Sequence, residues 1–351
     1  MNRFSKYGKK VICPSFYQNP FRFIEWVKWF CHKEKISYVI PCYKDVFVFS
    51  RYKQYLKKAG ILCLIADLKL LKLIYHKHNC QQWIEKMGVL TPKTYVPHSY
   101  QEMIDVFSMY QDMYLKMNYS HHGKGVFHIR SIKQLRRFEN KLGQFVLQET
   151  ISGCSYAVSM LYDNNYQCRL SFTNKHLKSK NDMSINSTFC MSTDYPEMQD
   201  LAKRILNRLS WVGVCMVKFK YNTATNKIYF IGIKPYLCRS LAISYVSGLN
   251  FSQGIIDCLS QNSLKNHTVY QKGIIVDWLL GKLFKSIVNR FLLLFFATKK
   301  SKLLKKIHAY EDWWRDDKAV FLGQILYYIL IFLRFFSFNI YYDSFKNVEK
   351  I

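Results

Sequence analysis

The sequence predicts a mixed architecture, α/β at its start and α+β through its middle, followed by a helical C-terminal region. Helical and strand patterns alternate over residues 21–66, a long hairpin pattern ends near residue 235, and one-sided apolar spacing begins at residue 274. Alternating helix and strand is the signature of a parallel α/β unit, and adjacent strands around a short polar turn make a hairpin.

The elements follow in order. Phe21 to His32 has apolar residues at helical spacing, with Pro20 just before it. Ile36 to Ile40 reads as a short buried strand, Asp45 to Ala59 as a helix closed by Gly60, and Ile61 to Ala66 as a second strand. Only Val11-Ile12 offers an earlier strand, so this first α/β unit is expected to be truncated. His76 to Lys86 is a helix ended by Gly88. Met113 to Met117 is a strand that runs into the polar loop Asn118 to Gly125. Val126 opens the next strand, Ser131 to Lys141 is a helix, and Phe145 to Glu149 is a strand leading to Gly153. Val214 to Tyr221 and Lys227 to Pro235 are expected to pair as a hairpin.

Composition bounds the function. The chain has 351 residues, enough for two or three packed units, and half of them are hydrophobic. Its 52 Lys and Arg against 23 Asp and Glu leave a net charge of +29. Such a field attracts polyanions or an anionic membrane face. The 11 cysteines form no CxxC pair, which argues against a zinc site and a disulfide framework and for a reducing, cytoplasmic setting. The basic N-terminus has no apolar core behind it and does not read as a signal peptide.

The chemistry-bearing residues begin with Lys116 on its strand and the loop Ser120, Gly123, Lys124 and Gly125. Glycines let backbone N–H groups approach phosphate oxygens, and lysines supply charge. His121 and His122 in the same loop read as solvated. The order of segments adds more. His76-Lys77 opens a helix, Val146 to Gly153 reads VLQETISG, Leu209 to Lys220 reads LSWVGVCMVKFK, and Tyr229 to Tyr236 reads YFIGIKPY, with Arg239-Ser240 after it.

In this order the chain resembles the ATP-grasp superfamily, in particular its carbamoyl-phosphate-synthase-like and carboxylate–amine-ligase branches, over residues 36–260. The resemblance implies a truncated pre-ATP-grasp α/β domain over 1–75, an ATP-grasp domain over 76–262 and a helical, basic and apolar region over 263–351. It implies ATP as cofactor. Lys77 and Lys116 would reach the nucleotide, Ser120, Gly123, Lys124 and Gly125 would close over its phosphates, and Gln148, Glu149, Thr150 and Ile151 would form the adenine hinge. The family joins a small carboxylate to an amine through an acyl phosphate. Its Mg²⁺ sits on one Glu and a Glu-x-Asn. Those positions are Lys218, Gly232 and Lys234 here, so no oxygen ligand remains for Mg²⁺. Arg239 is the one candidate catalytic group, since the Arg that commonly follows the Pro is Tyr236.

Three functions stay open on the sequence: an ATP-dependent ligase with an altered metal arrangement, a nucleotide-binding pseudoenzyme acting as a partner or regulator, and a basic protein that binds a membrane surface or nucleic acid. Ile274 to Ala297 and Val320 to Tyr341, with the basic run Lys299 to Lys306 between them, read either as helices packed on the core or as segments lying on an anionic membrane. Nucleic acid is not an expected partner.

Overall fold

In a computed structural model, the described residues are 6–119, 125–177, 189–262, 269–277, 309–310 and scattered positions from 317 to 326. The expected loop residues Ser120 to Lys124, most of Ile274 to Ala297, the run Lys299 to Lys306 and most of Val320 to Tyr341 lie outside them.

The chain opens with α1 (Pro20–Lys33), α2 (Asp45–Arg51), α3 (Lys53–Lys58), α4 (Leu68–Tyr75) and α5 (Lys77–Lys86). Asn19 caps α1 by accepting from the Arg22 N–H at 2.9 Å, and Pro20 starts its first turn. The single helix expected over Asp45 to Ala59 is broken at Tyr52, whose φ of −102° and ψ of 15° leave the helical region. The two strands expected at 36–40 and 61–66 are reduced to one parallel bridge, Tyr38 to Leu62. Their apolar residues pack more than they pair. Ile61, Cys63 and Ile65 are buried in one cluster with Val27, Leu71 and Trp211.

A small sheet follows. Its strands are β1 (Thr94–Tyr95), β2 (Met113–Met117), β3 (Val126–Ile129) and β4 (Phe145–Glu149), in the order β1-β4-β2-β3, all antiparallel. Helix α6 (Tyr100–Tyr110) and the short α7 (Ile132–Leu135) cover one face. The helix expected through Lys141 stops at Leu135 and tightens into a 3-10 helix over Arg136–Lys141. Met113, Leu115, Phe145 and Leu147 point into the cluster under α6. Strand alternation therefore sends Lys116 and Gln148 to the opposite face.

The large sheet contains β5 (Cys154–Tyr162), β6 (Cys168–Leu177), β7 (Phe189–Thr193), β8 (Gly213–Asn222), β9 (Lys227–Lys234), β10 (Ile275–Asp277) and β11 (Ala309–Tyr310). Its order is β11-β10-β7-β6-β5-β8-β9. The expected β8–β9 hairpin is present, and the Asn222 side chain closes its turn by accepting from the N–H groups of Ala224 and Thr225. Helix α8 (Pro196–Arg208) covers one face, while α9 (Ala242–Val246) and α10 (Phe251–Ser260) cover part of the other.

Residues 275–277, assigned by their periodicity to the start of a helix, form β10 instead. Ile275 and Val276 are β-branched and lie on the open edge of β7, where ladder hydrogen bonds outweigh a helical start. Among the described residues, no helix is long and apolar enough to cross a membrane.

Gly213 joins the lead-in segment to the large sheet. Its φ is +88°, and a Cβ there would stand 2.4 Å from the Leu64 carbonyl oxygen. Gly213→Ala is expected to lower stability by on the order of 3 kcal/mol, the sum of left-handed strain and overpacking. A chemical-denaturation midpoint indistinguishable from wild type would contradict this close approach.

Candidate functional site

The small sheet's outward face turns toward β8 and the hinge after β4. Lys116 extends from β2 on this face and donates to Oε1 of Gln148 on β4. Gln148 is buried, and its amide donates to Gln81 Oε1 at 2.7 Å and Thr94 Oγ1 at 2.9 Å. Gln81 in turn donates to Thr91 Oγ1 at 3.0 Å, and Thr91 donates to Glu85. A buried chain of polar side chains thus holds Lys116 from α5 across to β4.

Lys77 lies at the head of α5. Its ammonium donates to the Met117 carbonyl at 2.7 Å, and its backbone N–H reaches the Asn118 carbonyl at 3.3 Å. These bonds tie the helix to the end of β2, where the loop toward Gly125 begins. Gly125 returns from that loop with φ +69° and accepts from the Met117 N–H at 2.8 Å. His76 caps α5, with Nδ1 accepting from the Asn79 N–H at 3.3 Å. Burial holds its pKa below the usual value, which suits an acceptor nitrogen.

The expected hinge leaves β4 at Glu149. Its backbone N–H reaches the Lys93 carbonyl at 3.0 Å, and its carboxylate accepts from the Lys93 N–H at 2.8 Å. Thr150 donates to Asp112 at 2.9 Å, and Ile151 follows in irregular backbone. Gly153 ends the hinge with φ +108°, and a Cβ there would lie 2.0 Å from the Tyr221 carbonyl oxygen. Only glycine lets the hinge cross β8 this closely.

On the large sheet, Lys218 pairs directly with Gly232, and Lys234 pairs with Met216 one step along the same face. Lys218 is pushed down to about 7, first by the adjacent Lys234 ammonium and then by burial. Burial takes Lys116 down to about 8, with Lys220 adding to it. Burial takes Lys77 down to about 7, with Lys116 second. Sequence reasoning missed Lys220 and Gln81. Lys220 is two residues from Lys218 on the same strand face, so period-2 spacing carried that signal. Arg239 opens a 3-10 turn over Arg239–Leu241 just beyond β9. Tyr236 is buried against Tyr43 with ring centroids 5.7 Å apart.

The donor set does not suit a hard divalent cation. Mg²⁺ takes oxygen ligands in octahedral geometry, and Lys218, Gly232 and Lys234 offer none. Among the described residues, no group of three or more His, Cys, Asp or Glu side chains is placed to hold a metal ion.

Residues 74–239 match the family model described as an ATP-grasp domain. The chain carries an ATP-grasp domain and has the ATP-grasp fold. No curated protein sequence matches it. Among solved structures it is similar to N5-carboxyaminoimidazole synthetase from Staphylococcus aureus, with 13% identity, a TM-score of 0.61, and coverage of 79% of this chain and 72% of that one. It is also similar to the biotin carboxylase domain of Hydrogenobacter thermophilus 2-oxoglutarate carboxylase, solved with MgADP, ADP and bicarbonate. There the identity is 13%, the TM-score 0.57, and the coverage 73% of this chain and 61% of that one. L-amino acid ligase from Bacillus licheniformis gives 12% identity, a TM-score of 0.56, and coverage of 74% and 66%. Identities this low establish a shared fold. The chain spans 61% of the length of the biotin carboxylase domain.

The lysine pair makes a measurable demand on stability. In the unfolded chain a lysine holds its proton up to about pH 10.4, whereas folded Lys218 releases it near 7. Between these values the unfolded state binds more protons, so the destabilisation by Lys218 is full below pH 7 and fades as pH rises. Lys218→Met should therefore stabilise the protein at pH 6.5 by on the order of 1–2 kcal/mol, allowing for screening by solvent. The gain over wild type should shrink steadily as pH rises above 7 and vanish only by about pH 10.4. Parallel denaturant melts of both proteins across this range measure the difference, and a gain that does not change with pH would oppose the pairing.

Proposed function

We propose that the cleft between the two sheets binds a nucleoside triphosphate, ATP by family, with lysine ammonium groups in place of a divalent cation. The observation that carries this reading is Lys218 beside Lys234 on one face of the β8–β9 hairpin, positions that the resemblance assigns to the family's metal ligands. Buried like charges raise each other's free energy, and a polyanion between them relieves the repulsion. An ammonium contact to a phosphate oxygen at about 4 Å and an effective dielectric near 20 is worth about 4 kcal/mol before desolvation.

Each residue then has a physical task. Lys116 and Lys220 supply charge where the small sheet meets β8. Lys77 holds the base of the loop before Gly125 through the Met117 carbonyl. Residues 149–151 leave β4 as a backbone hinge suited to a flat base. Lysines neutralise phosphate charge but do not reproduce the bridging of β- and γ-oxygens that Mg²⁺ supplies in phosphoryl transfer. The protein is thus read as a nucleotide-responsive member of a ligase fold in which turnover is weak or lost.

A second reading is an active ligase with a small carboxylate as substrate. It is favoured by the similarity to N5-carboxyaminoimidazole synthetase, the L-amino acid ligase and a biotin carboxylase domain solved with bicarbonate. The two readings separate on the metal.

Thermal-shift and calorimetric titrations with ATP are the direct test. ATP should raise the Tm by mass action, equally in EDTA and in Mg²⁺, and Lys116→Ala should remove the effect. Binding should also draw protons from the buffer at pH 8, because phosphate raises the pKa of Lys77 and Lys218 from about 7. Affinity should accordingly fall as pH rises from 7 to 9. Stabilisation that requires Mg²⁺, together with carboxylate-dependent ADP release, would establish the ligase instead.

A further inference from the structure

The side of the molecule formed by the N-terminal segment and α1 exposes a mixed aromatic, aliphatic and basic face. Ile12 is 87% exposed, Trp29 55% and Phe21 51%. On α1 the buried residues Phe23, Ile24, Val27 and Cys31 face the core. By helical geometry, Phe21, Arg22, Trp29 and Lys33 occupy the opposite side. The Lys33 ammonium lies 5.0 Å from the Trp29 ring. Lys9 and Lys10 extend the charge beside it. The two carboxylates of α1 and its C-cap are already engaged. Glu25 accepts from the Tyr55 hydroxyl, and Glu34 pairs with Lys9 at 2.6 Å.

A second apolar element reaches the same region. The Lys6 N–H donates to Asp317 Oδ1 at 3.2 Å, which brings the start of the apolar C-terminal sequence to the N-terminal segment. Just beyond Asp317, Leu322 and Leu326 are helical, spaced by four residues, and 63% and 47% exposed.

We infer that this face docks on an anionic lipid surface. Basic residues are drawn to anionic headgroups, indole and phenyl rings settle at the interface, and aliphatic tips such as Ile12 and Leu322 enter the acyl boundary. A second copy of the chain is the poorer fit, since a two-fold contact would set Lys10, Arg22 and Lys33 against the same three cations. Exposed aliphatic tips such as Ile12 and Leu322 favour an acyl boundary over a nucleic acid, whose binding in place of vesicles would overturn the inference. The inference does not depend on the nucleotide cleft.

Co-sedimentation of the full chain with vesicles of phosphatidylcholine, and of phosphatidylcholine with phosphatidylserine, tests it. Wild type should bind the anionic vesicles and release as salt is raised. Replacing Lys10, Arg22 and Lys33 together by Gln should weaken binding roughly a hundredfold, about fivefold for each charge. Ile12→Ser with Trp29→Ser should weaken it at every salt concentration. Both variants should keep the wild-type Tm, because every altered side chain is exposed. The inference is overturned by absent vesicle binding, by variants that bind as wild type does, or by a self-association in sedimentation velocity that the variants abolish.

Discussion

Lys218 and Lys234 stand side by side on one face of the large sheet, and the Lys234 ammonium is the first cause that brings Lys218 down to about 7. Much of the remaining architecture bears on this repulsion. The β8–β9 hairpin holds the pair in register, and Gly232 beside Lys218 adds no side chain to separate them. Lys116 and Lys220 continue the positive potential toward the small sheet. This face of the fold gathers lysines whose charge partial burial leaves poorly screened.

That field must be held in place by groups that do not themselves bind anions. The Gln81–Gln148–Lys116 chain does this for the small sheet, and Gly153 does it for the hinge by letting backbone cross backbone. His76 adds a further tie, capping α5 with a ring nitrogen. Positive charge is concentrated on α1 as well, but there it is exposed and mixed with aromatic rings. Burial separates the two cationic regions physically: inside the cleft it depresses lysine pKa values, while on the surface water keeps the charge.

Much of the middle of the chain was legible in advance. The hairpin around Asn222, the strand bearing Lys116, the helix opened by His76 and the strand ending at Glu149 all carry local signals of turn chemistry or period-2 alternation. The early strands were misjudged because short apolar runs look alike whether they pair or merely pack, and Ile61 to Ala66 mostly packs. The β10 strand was misjudged for a related reason. Ile274 to Asp277 fits a helical stripe on its own, and only the open edge of β7 makes pairing the better outcome.

The sequence by itself determined the order of segments, the excess of positive charge and the residue types that stand at Lys218, Gly232 and Lys234, because these are properties of residue type at a position. It also determined which residues alternate to a common strand face, since that follows from backbone period alone. Only the tertiary structure decided that Lys116 meets Lys220, that Lys77 spends its ammonium on the Met117 carbonyl, and that Gln81 anchors the network. Those contacts join residues 40 to 104 positions apart in the chain (77 to 117, and 116 to 220), and no local pattern encodes a distance of that kind. They arise where α5 and β8 come up to the small sheet, which sets both the burial of each lysine and the neighbour it must tolerate.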